Sequence, residues 1–150
     1  MKSILIISLF IFSLIISCSD KNSNPANIAE MTAKTGTISF TAEKVTAVKQ
    51  GDYLIITGEM EYNSQKIVIA LKNPGTGTFK LQPSGDGGNY AYYSSQPGDQ
   101  QFNSITNAGN CIVTNYSGNY VEGTFYFDAA TSVIPIFSMK ISEGSFKVNY

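Results

Sequence analysis

Hydrophobic and polar residues alternate with a period of two in many short segments after residue 30. Residues 66–72 alternate along their whole length, which predicts a strand with one buried face and one wetter face, and Val68 and Ala70 fall with the lysines on the wetter face. Residues 111–116 and 120–129 flank the turn signal Ser117-Gly118-Asn119, which predicts a hairpin. No segment after Cys18 combines a 3.6-residue period with capping residues, so little or no helix is expected.

Other segments repeat the strand pattern. Strands are predicted at 53–60, 78–82, 90–95, 137–141 and 146–150, with a break at 142–144. Turns rich in Gly, Asn, Ser and Pro separate the strands, so the predicted fold is all-β, an antiparallel β-sandwich of about 8–10 strands. A lipocalin-like closed barrel is the alternative, although the chain has no tryptophan and so lacks the Gly-x-Trp motif of lipocalins.

The start of the chain has the pattern of a secreted lipoprotein. Ile4–Ile16 is an apolar run behind a short positive start, and it falls short of the ~20 residues that span a membrane as a helix. Leu14-Ile15-Ile16-Ser17-Cys18 resembles the bacterial lipobox, with the difference that Ile16 stands where smaller residues are commoner. The resemblance implies cleavage before Cys18 and a lipid attached to that cysteine.

This pattern predicts a signal peptide at 1–17, a lipidated cysteine with a flexible tether at 18–30, and one all-β domain at 31–150. Each buried CH₂ of an acyl chain contributes ~0.8 kcal/mol, so several chains would hold the protein firmly in a membrane. Ser19 stands where inner-membrane lipoproteins of enteric bacteria carry Asp. We therefore expect the bacterial outer membrane as the location, with the periplasmic and surface sides both open.

A series of short motifs runs through the domain. They are Met31-Thr32-Ala33-Lys34, Phe40-Thr41-Ala42, Leu54-Ile55-Ile56-Thr57-Gly58, Gly77-Thr78-Phe79, Val121-Glu122-Gly123-Thr124-Phe125-Tyr126-Phe127 and Ile141-Ser142-Glu143-Gly144-Ser145-Phe146-Lys147-Val148. Together they cover most of residues 31–150 and resemble a family of uncharacterised small all-β lipoproteins of Bacteroidota. The resemblance implies a fold and an envelope location, and it implies no activity and no site residues.

The residue inventory excludes several kinds of chemistry. The chain has no histidine and no arginine, and its net charge is -1. Imidazole-based nucleophiles, imidazole metal ligands and bidentate clamps for phosphate are therefore absent. The ten lysines are scattered, so nucleic acid is not an expected partner. We predict a non-enzymatic protein with no cofactor and no metal site, and a buried, unreactive Cys111.

Exposed aromatic residues are the feature that points to recognition. Tyrosine suits interfaces because its body is apolar and its tip is polar. The candidate binding residues are Tyr90, Tyr92, Tyr93, Tyr120 and Tyr126. The expected function is therefore binding or envelope structure, with a glycan, a peptide or an envelope protein as the partner besides the membrane that holds the lipid.

Two other functions stay open. A hydrolase of envelope polysaccharide would use two carboxylates, and Glu59, Glu61 and Glu122 are the candidates. A carrier of hydrophobic ligands would require a closed barrel with an apolar cavity.

Overall fold

Ten strands make up the part of the chain that the computed structural model describes, residues 28–95 and 101–150. They are β1 (Ala29–Thr35), β2 (Ile38–Thr41), β3 (Lys44–Gln50), β4 (Tyr53–Glu59), β5 (Lys66–Lys72), β6 (Gly77–Lys80), β7 (Tyr90–Ser94), β8 (Gln101–Ser117), β9 (Tyr120–Thr131) and β10 (Ser138–Asn149). All pairs of neighbouring strands are antiparallel. The predicted all-β class and strand number are confirmed.

The strands form one curled sheet in the order β2-β1-β10-β9-β8-β7-β5-β4-β3, and β6 pairs with β8 beside this path. β3 lies at one end of the order yet packs against β1 and β10 near the other end. The N–H of Ala42 donates to the carbonyl of Met31 at 2.9 Å where the two ends meet. The architecture is a half-barrel: its two sides face each other as in a sandwich, but they belong to a single sheet. Within the described residues no ladder joins β2 to β3, so the barrel is not closed.

The inner face of the sheet holds the core. Its largest fully buried side chains include Phe40, Phe127, Phe146 and Met31. The Phe125 ring centroid lies 6.4 Å from that of Phe127 and 6.3 Å from that of Phe146, so three aromatic rings occupy the middle. Such rings each bury roughly 150–250 Å². Side chains therefore fill the interior, which gives no support to a carrier of hydrophobic ligands.

One predicted face is corrected by the structure. Val68 and Ala70 on β5 were expected on the wetter side, but they are only 4% and 0% exposed. On the outer face, Ala70 stands between Ile55 of β4 and Tyr90 of β7 in the sheet register. Val68 stands between Thr57 and Tyr92 in the same way, so the tyrosines of β7 and the side chains of β4 cover both residues and β5 is buried on both faces.

Two boundaries also differ from prediction. β8 and β9 form the expected hairpin, but β8 begins at Gln101, ten residues before the predicted start. The break expected at 142–144 is a bulge inside the continuous strand β10. Phe137 lies in the loop before that strand and is 52% exposed.

Antiparallel pairing places the chain connections alternately at two ends of the sheet. One end, which we call the Gly51 end, carries residues 51–52, 73–76 and 118–119 together with Ile28, whose carbonyl accepts from Asn149 N–H at 3.1 Å. The opposite end carries residues 36–37, 60–65 and 132–137. The 132–137 loop holds four exposed apolar side chains, those of Val133, Ile134, Ile136 and Phe137.

Candidate functional site

The five tyrosines predicted to bind a ligand do not form one site. Tyr90 and Tyr92 lie half-buried on the outer face of β7, and burial raises the pKa of Tyr92 although the Lys66 charge opposes it. Tyr93 is next in sequence and therefore faces inward, where it is 3% exposed and packs 6.1 Å from Phe102. The expectation that Tyr93 is exposed is wrong, because adjacent residues of a strand point to opposite faces.

Tyr120 and Tyr126 lie on the outer face of β9, away from Tyr90 and Tyr92. The Tyr120 hydroxyl donates to Glu122 Oε2 at 3.0 Å, and Asn110 Nδ2 donates to the Tyr126 hydroxyl at 2.7 Å. Tyr92 aligns across β8 with Ala130, which is four residues and about 13 Å along β9 from Tyr126. Tyr120 and Tyr126 are thus separated from the two tyrosines on the outer face of β7, of which Tyr90 packs with its ring centroid 6.2 Å from that of Tyr53 on β4.

A different set of tyrosines meets at the Gly51 end. A groove of about 340 Å³ is lined there by residues from β3, the β3–β4 turn, β4, the β5–β6 loop and β8. The lining residues are Lys49, Gly51, Asp52, Tyr53, Asn73, Pro74 and Tyr116. We call this site the tyrosine groove. Its volume falls within the ~300–1,000 Å³ that is usual for ligand pockets.

One wall of the tyrosine groove contains Tyr116, whose ring has a second tyrosine ring and a lysine beside it. The Tyr116 ring stacks on Tyr150 with 6.0 Å between centroids and 26° between planes. Lys49 Nζ lies 4.9 Å from the Tyr150 centroid and 5.9 Å from the Tyr116 centroid, within the range of cation–π attraction. Burial, followed by a hydrogen bond with Tyr116, raises the pKa of Tyr150 to about 12. Tyr150 therefore stays neutral around pH 7, and its hydroxyl donates to the Ser117 carbonyl at 3.3 Å.

The other wall is built by the turns. Asn73 N–H donates to the Asp52 carbonyl at 2.7 Å, which joins the β5–β6 loop to the β3–β4 turn. The Tyr53 hydroxyl donates to the Gly87 carbonyl at 3.0 Å, and Lys72 Nζ donates to the same carbonyl at 2.9 Å. These bonds fix Tyr53 beside the exposed side chains of Asp52 and Asn73. The groove thus combines aromatic rings with a cation, a carboxylate and an amide.

Sequence reasoning missed Lys49, Tyr53, Tyr116 and Tyr150. Tyr53 directly follows the Gly51-Asp52 turn, and Tyr116 lies one residue from another predicted turn. Aromatic residues beside predicted turns could therefore have identified Tyr53 and Tyr116 as candidates from the sequence. The signal did not tell which turns share an end of the sheet, because that depends on the strand order.

The carboxylates considered for hydrolysis are not brought together. Glu59 Oε1 pairs with Lys66 Nζ at 3.5 Å, whereas Glu61 lies beyond β4 in an exposed turn. Glu122 is on β9, separated from β4 by three strands of the sheet, and it is held by Tyr120. A smaller outer groove of about 190 Å³ is lined by Glu122 and Glu30, but Lys147 Nζ pairs with Glu30 Oε2 at 3.0 Å. The arrangement gives no support to a pair of catalytic carboxylates.

Cys111 is buried as predicted, and burial raises the pKa of its thiol to about 12. In residues 28–95 and 101–150, no cluster of three or more Cys, Asp or Glu side chains is placed to hold a metal ion. The same residues contain no helix of the length and hydropathy that crossing a membrane requires. Cys18, the predicted lipid site, lies outside the described residues.

Residues 27–148 match a family model described as a domain of unknown function, DUF6252. No curated protein and no solved structure matches the chain.

Proposed function

Because the chain belongs to the DUF6252 family, a domain of unknown function, its own residues have to supply the argument, and we propose that it is a lipid-anchored envelope protein that binds a ligand in the tyrosine groove. The observation that carries the proposal is the groove itself. It is open to solvent, is built from five separate elements, and is lined by two tyrosines together with Lys49, Asp52 and Asn73. Binding sites characteristically combine apolar surface with a few convergent polar groups in this way.

The side chains that line the tyrosine groove are suited to binding rather than to catalysis. The tyrosine groove has no histidine, cysteine or serine among its lining residues, so it contains no base paired with a nucleophile. Asp52 is its one carboxylate. Glycan, peptide and envelope protein are the ligands that such a surface accommodates.

The anchor is proposed from the sequence alone. The lipobox-like segment before Cys18 supports lipid attachment, and Ser19 supports outer-membrane placement. Mass spectrometry of the mature protein is expected to find an acylated Cys18 at the N-terminus. An unmodified or different N-terminus would refute the anchor, and protease treatment of intact cells distinguishes the surface from the periplasmic side.

The binding role is tested separately with the mature chain in detergent. Immobilised glycan and peptide libraries are screened with the wild type and with the groove variants Asp52→Ala and Tyr53→Ser. Tyr126→Ser is the matched control, because Tyr126 is an exposed tyrosine on the outer face of β9. We expect ligands whose binding is lost in both groove variants and kept in the control. Binding that is absent, or that all three variants retain, would contradict the proposed site.

Melting temperatures of all four proteins accompany the screen. Asp52 is in an exposed turn, so Asp52→Ala reports on the ligand even if Tyr53→Ser weakens the fold.

A further inference from the structure

Lys49 differs from the lysines that form ion pairs. Lys34, Lys66 and Lys147 each have a glutamate oxygen 2.8–3.5 Å from Nζ. Among residues 28–95 and 101–150, no carboxylate lies within 4.0 Å of Lys49 Nζ. Its ammonium rests on the Tyr116 and Tyr150 rings instead. Ring faces attract a cation but do not accept its hydrogen bonds as an anion does, so the three N–H donors remain available to one.

The position of Lys49 is set by the sheet. Lys49 follows Val45 and Ala47 in the period of β3, and both of those residues are buried in the core. Lys49 is thus the residue of the inward-facing row that reaches the rim of the half-barrel. The stacked tyrosines on β8 and at residue 150 restrain the end of its side chain. A lysine side chain that is already restrained loses less conformational entropy when it binds a ligand than a freely moving one does.

The remaining lining groups match sugar hydroxyls. Asp52 offers two acceptor oxygens and Asn73 offers both an acceptor and donors, and both side chains are exposed. Tyr53 lines the groove beside them, and its ring also lies 6.2 Å from that of Tyr90 and 6.0 Å from Lys72 Nζ. The lining residues include a single cation, Lys49, and they form no apolar pocket for a peptide side chain.

We propose that the tyrosine groove binds an acidic carbohydrate, with the carboxylate of a uronate-type sugar on Lys49 and its hydroxyls on Asp52 and Asn73. This inference rests on the proposed function, since it names the ligand class of the same groove. Lys49 and Asp52 take different groups of one sugar unit, which explains why a cation and a carboxylate line one groove. The charged contact would be sensitive to salt because the site is open to solvent.

The test uses isothermal titration of the mature chain in detergent with three probes. The probes are tetragalacturonate, the neutral tetrasaccharide of galactose and tetraglutamate. We expect tetragalacturonate to bind at least tenfold more tightly than the other two, which corresponds to about 1.4 kcal/mol. Raising the salt concentration is expected to weaken this binding and to leave the weak binding of the neutral sugar unchanged.

Lys49→Gln is expected to lower tetragalacturonate affinity about tenfold, a loss typical of a charge-assisted contact. Lys49→Arg, which keeps the charge, is expected to retain most of the affinity. Lys44→Gln is the matched control, because Lys44 is exposed on the same strand but at its opposite end. Melting curves show whether each variant is folded.

The outcomes separate the inference from the proposed function. Equal binding of the acidic and neutral sugars, unaffected by Lys49→Gln, would overturn the acidic ligand and leave a groove that binds neutral glycans. Preferred binding of tetraglutamate, or no binding of any probe, would also overturn it. In both of those cases the library screen still decides whether the groove binds a ligand at all.

Discussion

Cys111 shows how the environment of one residue sets its chemistry. The side chain is fully buried in the core, and the pKa of its thiol rises from 9.0 to about 12 because burial penalises the thiolate. A thiol that stays protonated is a poor nucleophile. The residue therefore serves packing, as its place at the head of an apolar strand segment indicated.

The same shift predicts an alkaline loss of stability. The unfolded chain gives up the thiol proton near pH 9, whereas the folded chain keeps it up to about pH 12. The stabilisation of the folded state that comes from the protonated thiol is complete below pH 9. It is lost as the pH rises from 9 to about 12, and the free energy of unfolding falls by at most about 1.4 kcal/mol per pH unit. Urea unfolding from pH 8 to pH 11 should show a steeper loss in the wild type than in Cys111→Ala.

Burial also raises the pKa of Tyr92 and Tyr93, so both proteins lose stability in this range. The effect of the thiol is therefore the difference between the wild type and Cys111→Ala in how steeply the free energy of unfolding falls with pH. Parallel curves would show that the thiol is accessible to solvent.

Gly123 is required by close approach rather than by backbone conformation. A Cβ at this position would collide with the carbonyl oxygen of Ile112 and lie 2.9 Å from Phe146 Cζ. Gly123→Ala should lower the free energy of unfolding by about 1–3 kcal/mol through overpacking. Gly118→Ala is the control because nothing lies within 4 Å of its Cβ. Chemical denaturation measures both, and equal stability of the two variants would contradict the tight packing.

Strand irregularities explain where predicted elements and observed elements differ. In β10 the register shifts between Ile141 and Gly144, and Glu143 has a φ of 51°. Ser142-Glu143-Gly144 was predicted as a break because it interrupts the period of two. In the structure the bulge absorbs the interruption, since both flanks pair with the same strand β9. Interrupted periodicity therefore marks the bulge but does not separate it from a turn.

β8 has a similar irregularity that hid its first half from sequence reasoning. Its register against β9 shifts between Ser104 and Gly109, and residues 101–110 are largely polar. Ser104 is nevertheless buried. Its hydroxyl donates to the Gln82 carbonyl at 2.5 Å and accepts from Ala91 N–H at 3.2 Å. This side chain ties the β6–β7 connection to β8.

Ser104→Ala should therefore remove this partner from the buried Ala91 N–H and the part-buried Gln82 carbonyl and lower the free energy of unfolding by about 2–3 kcal/mol. Thr106→Ala on the same strand is exposed and is expected to cost less than about 0.5 kcal/mol. Urea denaturation of both variants checks the difference. A loss for Ser104→Ala no larger than that of the control would mean that water satisfies both backbone groups.

At the scale of the whole molecule, seven strands of the half-barrel have a neighbour on each side, and β2 and β3 stand at the two ends of the strand order. β5 lies between β4 and β7, and β9 lies between β8 and β10. β2 pairs only with β1 in the described part of the sheet, and it is four residues long. Stability against local opening should differ accordingly, because β2 is held by one ladder and one buried side chain, that of Phe40, whereas β5 and β9 have a ladder on each side.

Hydrogen exchange of the mature chain is expected to be slowest in β5 and β9 and at least about 100-fold faster in β2. Mass spectrometry of peptides from a deuterium-exchange time course measures this order. Comparable protection of β2 would indicate that another chain or a ligand covers that edge.

The sequence by itself determined that the protein is built of antiparallel strands, where its main hairpin turns, and that Cys111 is buried. These features are local, because a period of two and a turn signal act within a few residues. The tertiary structure alone decided that the strands form a single curled sheet, that β5 is buried on both faces, and that Lys49, Tyr53 and Tyr116 meet in one groove. Strand order determines these features, and the order depends on contacts between residues far apart in the chain.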